Sequence, residues 1–214
     1  MTIADSINSY LPGFIAAYAI LLVGASSPGP SVALLVNQAT QHGRYAALLT
    51  TFGIACGSAT LNIATLLGVE LLFSHAAWVV TVLRLVGAAY LLYLAYGAFR
   101  NAFNPPKWQP ADSLQPAGMN SFVSGYALQV TNVKAMSFWL SISAIGAVEG
   151  APAVVKIVFV VGSFLISFAC HGAWALALSS DRFQQAYSSA RQWVEVFLGC
   201  CFTFFAYRLA SADH

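Results

Sequence analysis

The stretch Gly24-Ala25-Ser26-Ser27-Pro28-Gly29-Pro30-Ser31-Val32 lies inside an apolar run that extends from about residue 10 to residue 37 without a charge. A proline inside a helix lacks an N–H and clashes with the preceding turn, which costs ~3 kcal/mol. Two prolines around a glycine predict a helix that unwinds or kinks sharply at this point. At bilayer depth, broken backbone is tolerated only where it is buried in protein or lines a cavity. Its bared carbonyls and the new helix N-terminus near Ser31 can then hold a polar or ionic ligand. A packing kink without a ligand is the plainer alternative.

The composition places that stretch in a membrane. Of 214 residues, 59% are hydrophobic and only 7% are Asp, Glu, Lys or Arg. Soluble domains carry roughly 25% charged residues, so water is excluded as the main solvent. Disorder is excluded as well, since it needs low hydrophobicity and high charge. A net charge of +2 offers no basic field for nucleic acid.

Crossing a bilayer takes about 20 mostly apolar residues. Candidate spans fall near 10–37, 45–73, 78–99, 120–148, 153–178 and 192–210. Runs such as Ile157 to Ile166 are apolar on consecutive positions, unlike the alternating strands of a β-barrel. The expected fold is therefore all-α and polytopic, with six transmembrane helices. Residues 1–12 contain Asp5 but no Lys or Arg, so the first span is not expected to be a cleaved signal peptide. The link 101–119, with Pro105, Pro106, Pro110 and Pro116, reads as a solvent loop. It divides one transporter domain into halves near 1–104 and 114–210. With both termini outside, Arg44, Arg100, Lys107, Arg182 and Arg191 face inward, against Arg84, Lys156 and Arg208 outward. The positive-inside rule favours that orientation.

The fourth span repeats the theme of the first. Gln129, Thr131, Asn132 and Lys134 interrupt it, and Pro28 and Asn132 stand 104 residues apart (132 − 28), close to half of 214. Two halves of three helices insert in opposite directions, so the pattern is that of an inverted repeat with matched interruptions, which points to a central transport site. Lys134 strengthens the case, because a lysine at the bilayer centre costs roughly 2.5–3.5 kcal/mol on insertion scales. The alternative is that it snorkels to an interface.

The run Ser27-Pro28-Gly29-Pro30, with Gly43-Arg44 and Gly53-Ile54-Ala55-Cys56-Gly57 after it, resembles the signature of the lysine-exporter (LysE/RhtB) family. The third span from Arg84 to Leu94 and the segment from Phe122 to Ser141 are also similar to that family. Two positions differ. Ser31 stands where the family usually has Asn, and Asn132-Val133-Lys134 stands where it usually has Asn-Pro-Lys. Val133 should make the second break milder.

The resemblance implies a secondary exporter of amino acids or close relatives in the bacterial inner membrane, driven by the proton gradient and needing no cofactor. No Gly-rich phosphate loop with a following Lys is present. The expected substrate-binding residues are Ser27, Pro28, Gly29, Pro30, Ser31, Asn37, Gln129, Asn132 and Lys134. The helix end near Gly29 to Ser31, or Lys134, would meet a substrate carboxylate. Carbonyls around Ser27 and Pro28, with Asn132, would meet the ammonium. Glu70, Arg84 and His171 are candidates for coupling or gating. Their plainer readings are an interfacial ion pair for the first two and a hydrogen-bonded structural histidine for the third. Gly53 and Gly57 form a small-xxx-small pair for helix packing. Cys56, Cys170, Cys200 and Cys201 lack CxxC spacing and read as small apolar residues.

The expected partners are a small-molecule substrate, membrane lipid and, in an oligomer, further copies of the chain. Export of a metal cation or another small solute is the nearest alternative, although no cluster of His, Asp or Glu marks a metal path. An intramembrane hydrolase built on Ser124 and His171 and a non-transporting scaffold are weaker readings.

Overall fold

Every fourth residue of one helix shows how this chain distributes polarity. Val155, Phe159, Ser163, Ser167, His171 and Ala175 are buried along a single stripe. Ile157, Val161 and Leu165 on the outer side are 61%, 51% and 56% exposed. Polar groups lie inside and branched aliphatics outside, the distribution expected of a helix that faces lipid.

A computed structural model describes residues 3–27, 29–73, 77–104, 120–145, 147–177 and 180–211. Its elements are α1 (Ile3–Ser26), α2 (Pro30–Phe73), α3 (Ala77–Phe103), α4 (Ser121–Thr131), α5 (Val133–Ser143), α6 (Ala153–Ala177) and α7 (Asp181–Ala210). Among the described residues helix is the only regular secondary structure. Four stretches among them are long and apolar enough to cross a membrane: Ile7–Ser26, His42–Gly68, Ala153–Ala177 and Ser189–Ala210. The protein is thus a multi-pass membrane protein.

The expected break in the first span is present. α1 stops at Ser26 and α2 starts at Pro30; Pro28 itself lies outside the described residues. α2 consists of two limbs, 30–42 and 44–73, separated at Gly43 with φ 81° and ψ 177°. Only glycine adopts that backbone without strain, which gives the Gly43-Arg44 pair a structural reason.

Chain direction follows from the contacts. Tyr18 reaches Phe159 and Ser26 reaches Cys170, so α1 and α6 run parallel. The second limb of α2 runs against α6, with Thr51 beside Gly172 and Asn62 bonded to Ser163. It runs alongside α4, with Thr50 bonded to Ser121 and Gly57 against Gln129. α3 and α7 are antiparallel, joined at Gly87–Leu209 and Gly199–Phe99. The main core includes Phe14, Leu91, Trp139, Phe159 and Phe202.

Close approach depends on missing side chains. A Cβ on Gly53 would collide with the Phe122 carbonyl, and one on Gly125 with the Thr50 carbonyl. A Cβ on Gly57 would stand 2.8 Å from that of Gln129. These glycines let the second limb of α2 lie directly on α4.

Candidate functional site

The fourth span is broken without a proline. α4 ends at Thr131, α5 begins at Val133, and Asn132 between them is extended (φ −76°, ψ 107°). Its carboxamide oxygen accepts the Lys134 backbone N–H at 3.0 Å, and its carbonyl accepts from Met136 N at 3.0 Å. Asn132 thus acts as the N-cap of a new helix, a position that suits asparagine. The break is confined to one residue.

The two breaks stand side by side. α1 and the first limb of α2 run antiparallel to α4 and α5, with Gly13 against Ala147, Gly24 against Phe138, Ser31 against Gln129 and Gln38 against Ser121. Continuing that register brings Ser27–Gly29 opposite Asn132–Lys134. Lys134 Nζ donates to Ser27 Oγ at 3.0 Å and to the Ser27 carbonyl at 3.4 Å. Ser31 Oγ donates to Gln129 Oε1 at 3.0 Å. Gly29 leaves room for the lysine, since a Cβ there would lie 3.2 Å from Nζ.

A cavity of about 50 Å³ opens at this meeting point, lined by Ser27, Gly29, Pro30, Ser31, Gln129, Asn132 and Lys134, with Ser58, Ser167, His171, Trp139 and apolar side chains around them. That volume holds a few water molecules. Its chemistry is bipolar. The carbonyl and hydroxyl of Ser27 are acceptors, while the first N–H groups of α2 form a helix N-terminus with partial positive charge.

His171 lines the cavity from α6 and shares its Nδ1 with the Ser167 carbonyl at 2.9 Å. Trp139 donates to Ser58 at 3.1 Å in the cavity wall. Asn37 is buried farther along α2, away from the lining. The side chains of Glu70 and Arg84 lie outside the described residues. Ser124 donates to the Asn120 carbonyl and His171 bonds Ser167, so these bonds do not join them as a nucleophile and base. The four cysteines are free thiols.

One charged residue near the site escaped the sequence reading. Glu195 on α7 is 2% exposed and lies within electrostatic reach of Lys134. Its position near the start of a weak span suggests an interface. Only its place in the buried stripe Glu195, Leu198, Phe202, Ala206 and Leu209 gives it away.

The family model described as LysE type translocator matches residues 22–213. The chain belongs to that family. The chain is similar to a threonine efflux protein of Salmonella typhi, 25% identical over 195 residues that cover 88% of this chain and 92% of the relative. A threonine efflux protein of Escherichia coli K12 is 24% identical, with 92% and 96% covered. A leucine efflux protein of Klebsiella pneumoniae is 26% identical, with 95% of each chain covered. No solved structure matches. Family membership makes the chain a translocator, and the paired breaks lie inside the matched region.

Proposed function

We propose that this translocator exports amino acids across the bacterial inner membrane, exchanging them for protons at the paired breaks. The observation that carries this reading is the Lys134–Ser27 contact, which joins the two helix interruptions across a polar cavity. The names of the threonine and leucine efflux relatives support an amino-acid substrate. A zwitterion needs acceptors for its ammonium and donors for its carboxylate. Ser27 offers the acceptors and the start of α2 near Ser31 offers the donors, with Asn132 and Gln129 beside them.

Six crossings follow if α1 with the first limb of α2 counts as one and α4 with α5 as another. α4 and α5 have 11 residues each, too few to cross singly. The inverted repeat is supported by matched helix pairs. Gly162 of α6 faces the Tyr18 phenol of α1, and Gly53 and Gly57 of α2 face the α4 backbone at Phe122 and Tyr126. Each pair links the broken helix of one half to the middle helix of the other. Both termini then face the periplasm, the orientation favoured by the lysines and arginines.

Efflux from proteoliposomes loaded with single amino acids, with divalent cations run in parallel, tests the function. Release of one or more amino acids, faster toward an acidic exterior, is expected. Release of a cation alone overturns the reading.

A further inference from the structure

Glu195 is a carboxylate for which the transport site described above has no use. It is 2% exposed, and its Oε1 has no hydrogen-bond partner. Asn101, two residues from the end of α3 at Phe103, hydrogen-bonds its side chain. Arg191, one turn earlier on α7, has a buried Nε that also lacks a partner. Among the described residues, the charged groups in reach of Glu195 are Arg191 on its own helix and Lys134 on α5. From α3 the near group is the neutral Asn101, and the adjacent Arg100 is exposed. His171 on α6 interacts with Lys134 in turn. A buried carboxylate with an open lone pair is costly unless a cation or a proton comes to it.

Lys134 is the cation on the cavity side. Its ammonium donates to Ser27 Oγ and to the Ser27 carbonyl, the same acceptors that suit the ammonium of an amino acid. Lys134 also lines the cavity, so its side chain takes up room that a substrate would need. Lys134 and substrate therefore compete for one position.

We propose that Glu195 is the proton-carrying carboxylate and that its charge decides where Lys134 lies. This rests on the exporter reading. With Glu195 ionised, Lys134 swings toward it, Ser27 is uncovered and the substrate ammonium binds. One proton added to the carboxylate gives the neutral acid and removes the attraction. Lys134 returns to Ser27 and displaces the substrate. Glu195 lies toward the end of the bundle where α3 terminates and the 101–119 link begins, the cytoplasmic face in the proposed orientation. A proton taken up from outside and released there drives one zwitterion out, with one positive charge entering per cycle.

Proteoliposomes with radiolabelled L-threonine and L-leucine as probes separate the parts. Two modes are measured: exchange at equal pH, and accumulation against a gradient under an imposed pH difference. The wild type performs both. Glu195→Gln, fixed in the neutral form, loses accumulation, and its exchange KM rises about tenfold, the scale of one hydrogen bond to a charged group. Adding Lys134→Met to Glu195→Gln restores the exchange KM without restoring accumulation. Accumulation retained in Glu195→Gln overturns the proposal, as does a raised KM that Lys134→Met fails to correct. If Glu195→Gln is not monodisperse, Glu195→Asp serves instead. A displaced pH midpoint of exchange is expected for it, and an unmoved one overturns the proposal. A wild type that moves none of the twenty amino acids defeats the exporter reading itself, and this inference with it.

Discussion

At Ser27–Gly29 one helix stops and the next begins by backbone means. Pro30 opens α2, where its missing N–H would have had no helical partner, and the Gly29 carbonyl takes the first helical bond from Ala33 N at 2.9 Å. At Asn132 the same result is reached by a side chain. The carboxamide caps α5, and Val133 takes the opening position that Pro30 holds in α2. The first break leaves a carbonyl and a hydroxyl facing the cavity, whereas the second supplies the lysine that fills them. Matching interruptions can thus have complementary chemistry, acceptors in one half and a donor in the other.

The largest test of that complementarity removes the donor. Lys134→Met should lower gradient-driven export at least about tenfold, since hydrogen bonds to charged groups are worth roughly 1.5–3 kcal/mol. Efflux from loaded cells measures this, and full export by the variant would end the role given to the lysine. A smaller effect tests whether the second break depends on its cap. Asn132→Ala should lower stability by about 1 kcal/mol, the usual cost of losing an N-cap, read by denaturant titration in detergent. An unchanged midpoint would mean that packing alone holds the break.

The bridge between the halves comes next. Ser31→Ala deletes the hydroxyl that donates to Gln129 and should cost about 0.6 kcal/mol, the average for hydrogen bonds between membrane helices. In the double variant with Gln129→Leu, the Ser31 change should have little further effect on stability. Additive losses would show that the bond couples nothing. Smallest of all is Val133→Pro. Asn132 already has the extended backbone that a following proline demands, and the opening turn of a helix tolerates proline. Its melting temperature should stay near that of the wild type, with export retained. A collapse of either would mean that the two breaks are not equivalent.

Where the helices break is legible in the residues themselves. The Pro-Gly-Pro stretch, the polar group at Gln129–Lys134 and their half-chain spacing all signal defects in apolar helices, and such defects are local in sequence. Asn37 has the same polarity yet lies off the cavity, buried farther along α2 than Ser31. Glu195 went the other way. A glutamate near the start of a modestly apolar helix reads as a surface residue, and only the packing of α7 against α3 encloses it.

The sequence by itself determined that the protein is helical, that it belongs in a bilayer and where its helices fail. Those properties depend on hydropathy, proline and glycine, which act within a turn or two of where they stand. The tertiary structure alone decided that the two failures face each other, that Lys134 reaches across to Ser27 and that Glu195 is buried within electrostatic reach of it. Such pairings depend on the register and rotation of helices about a hundred residues apart. That register is set by close contacts such as Gly53 on the Phe122 carbonyl and Gly125 on Thr50.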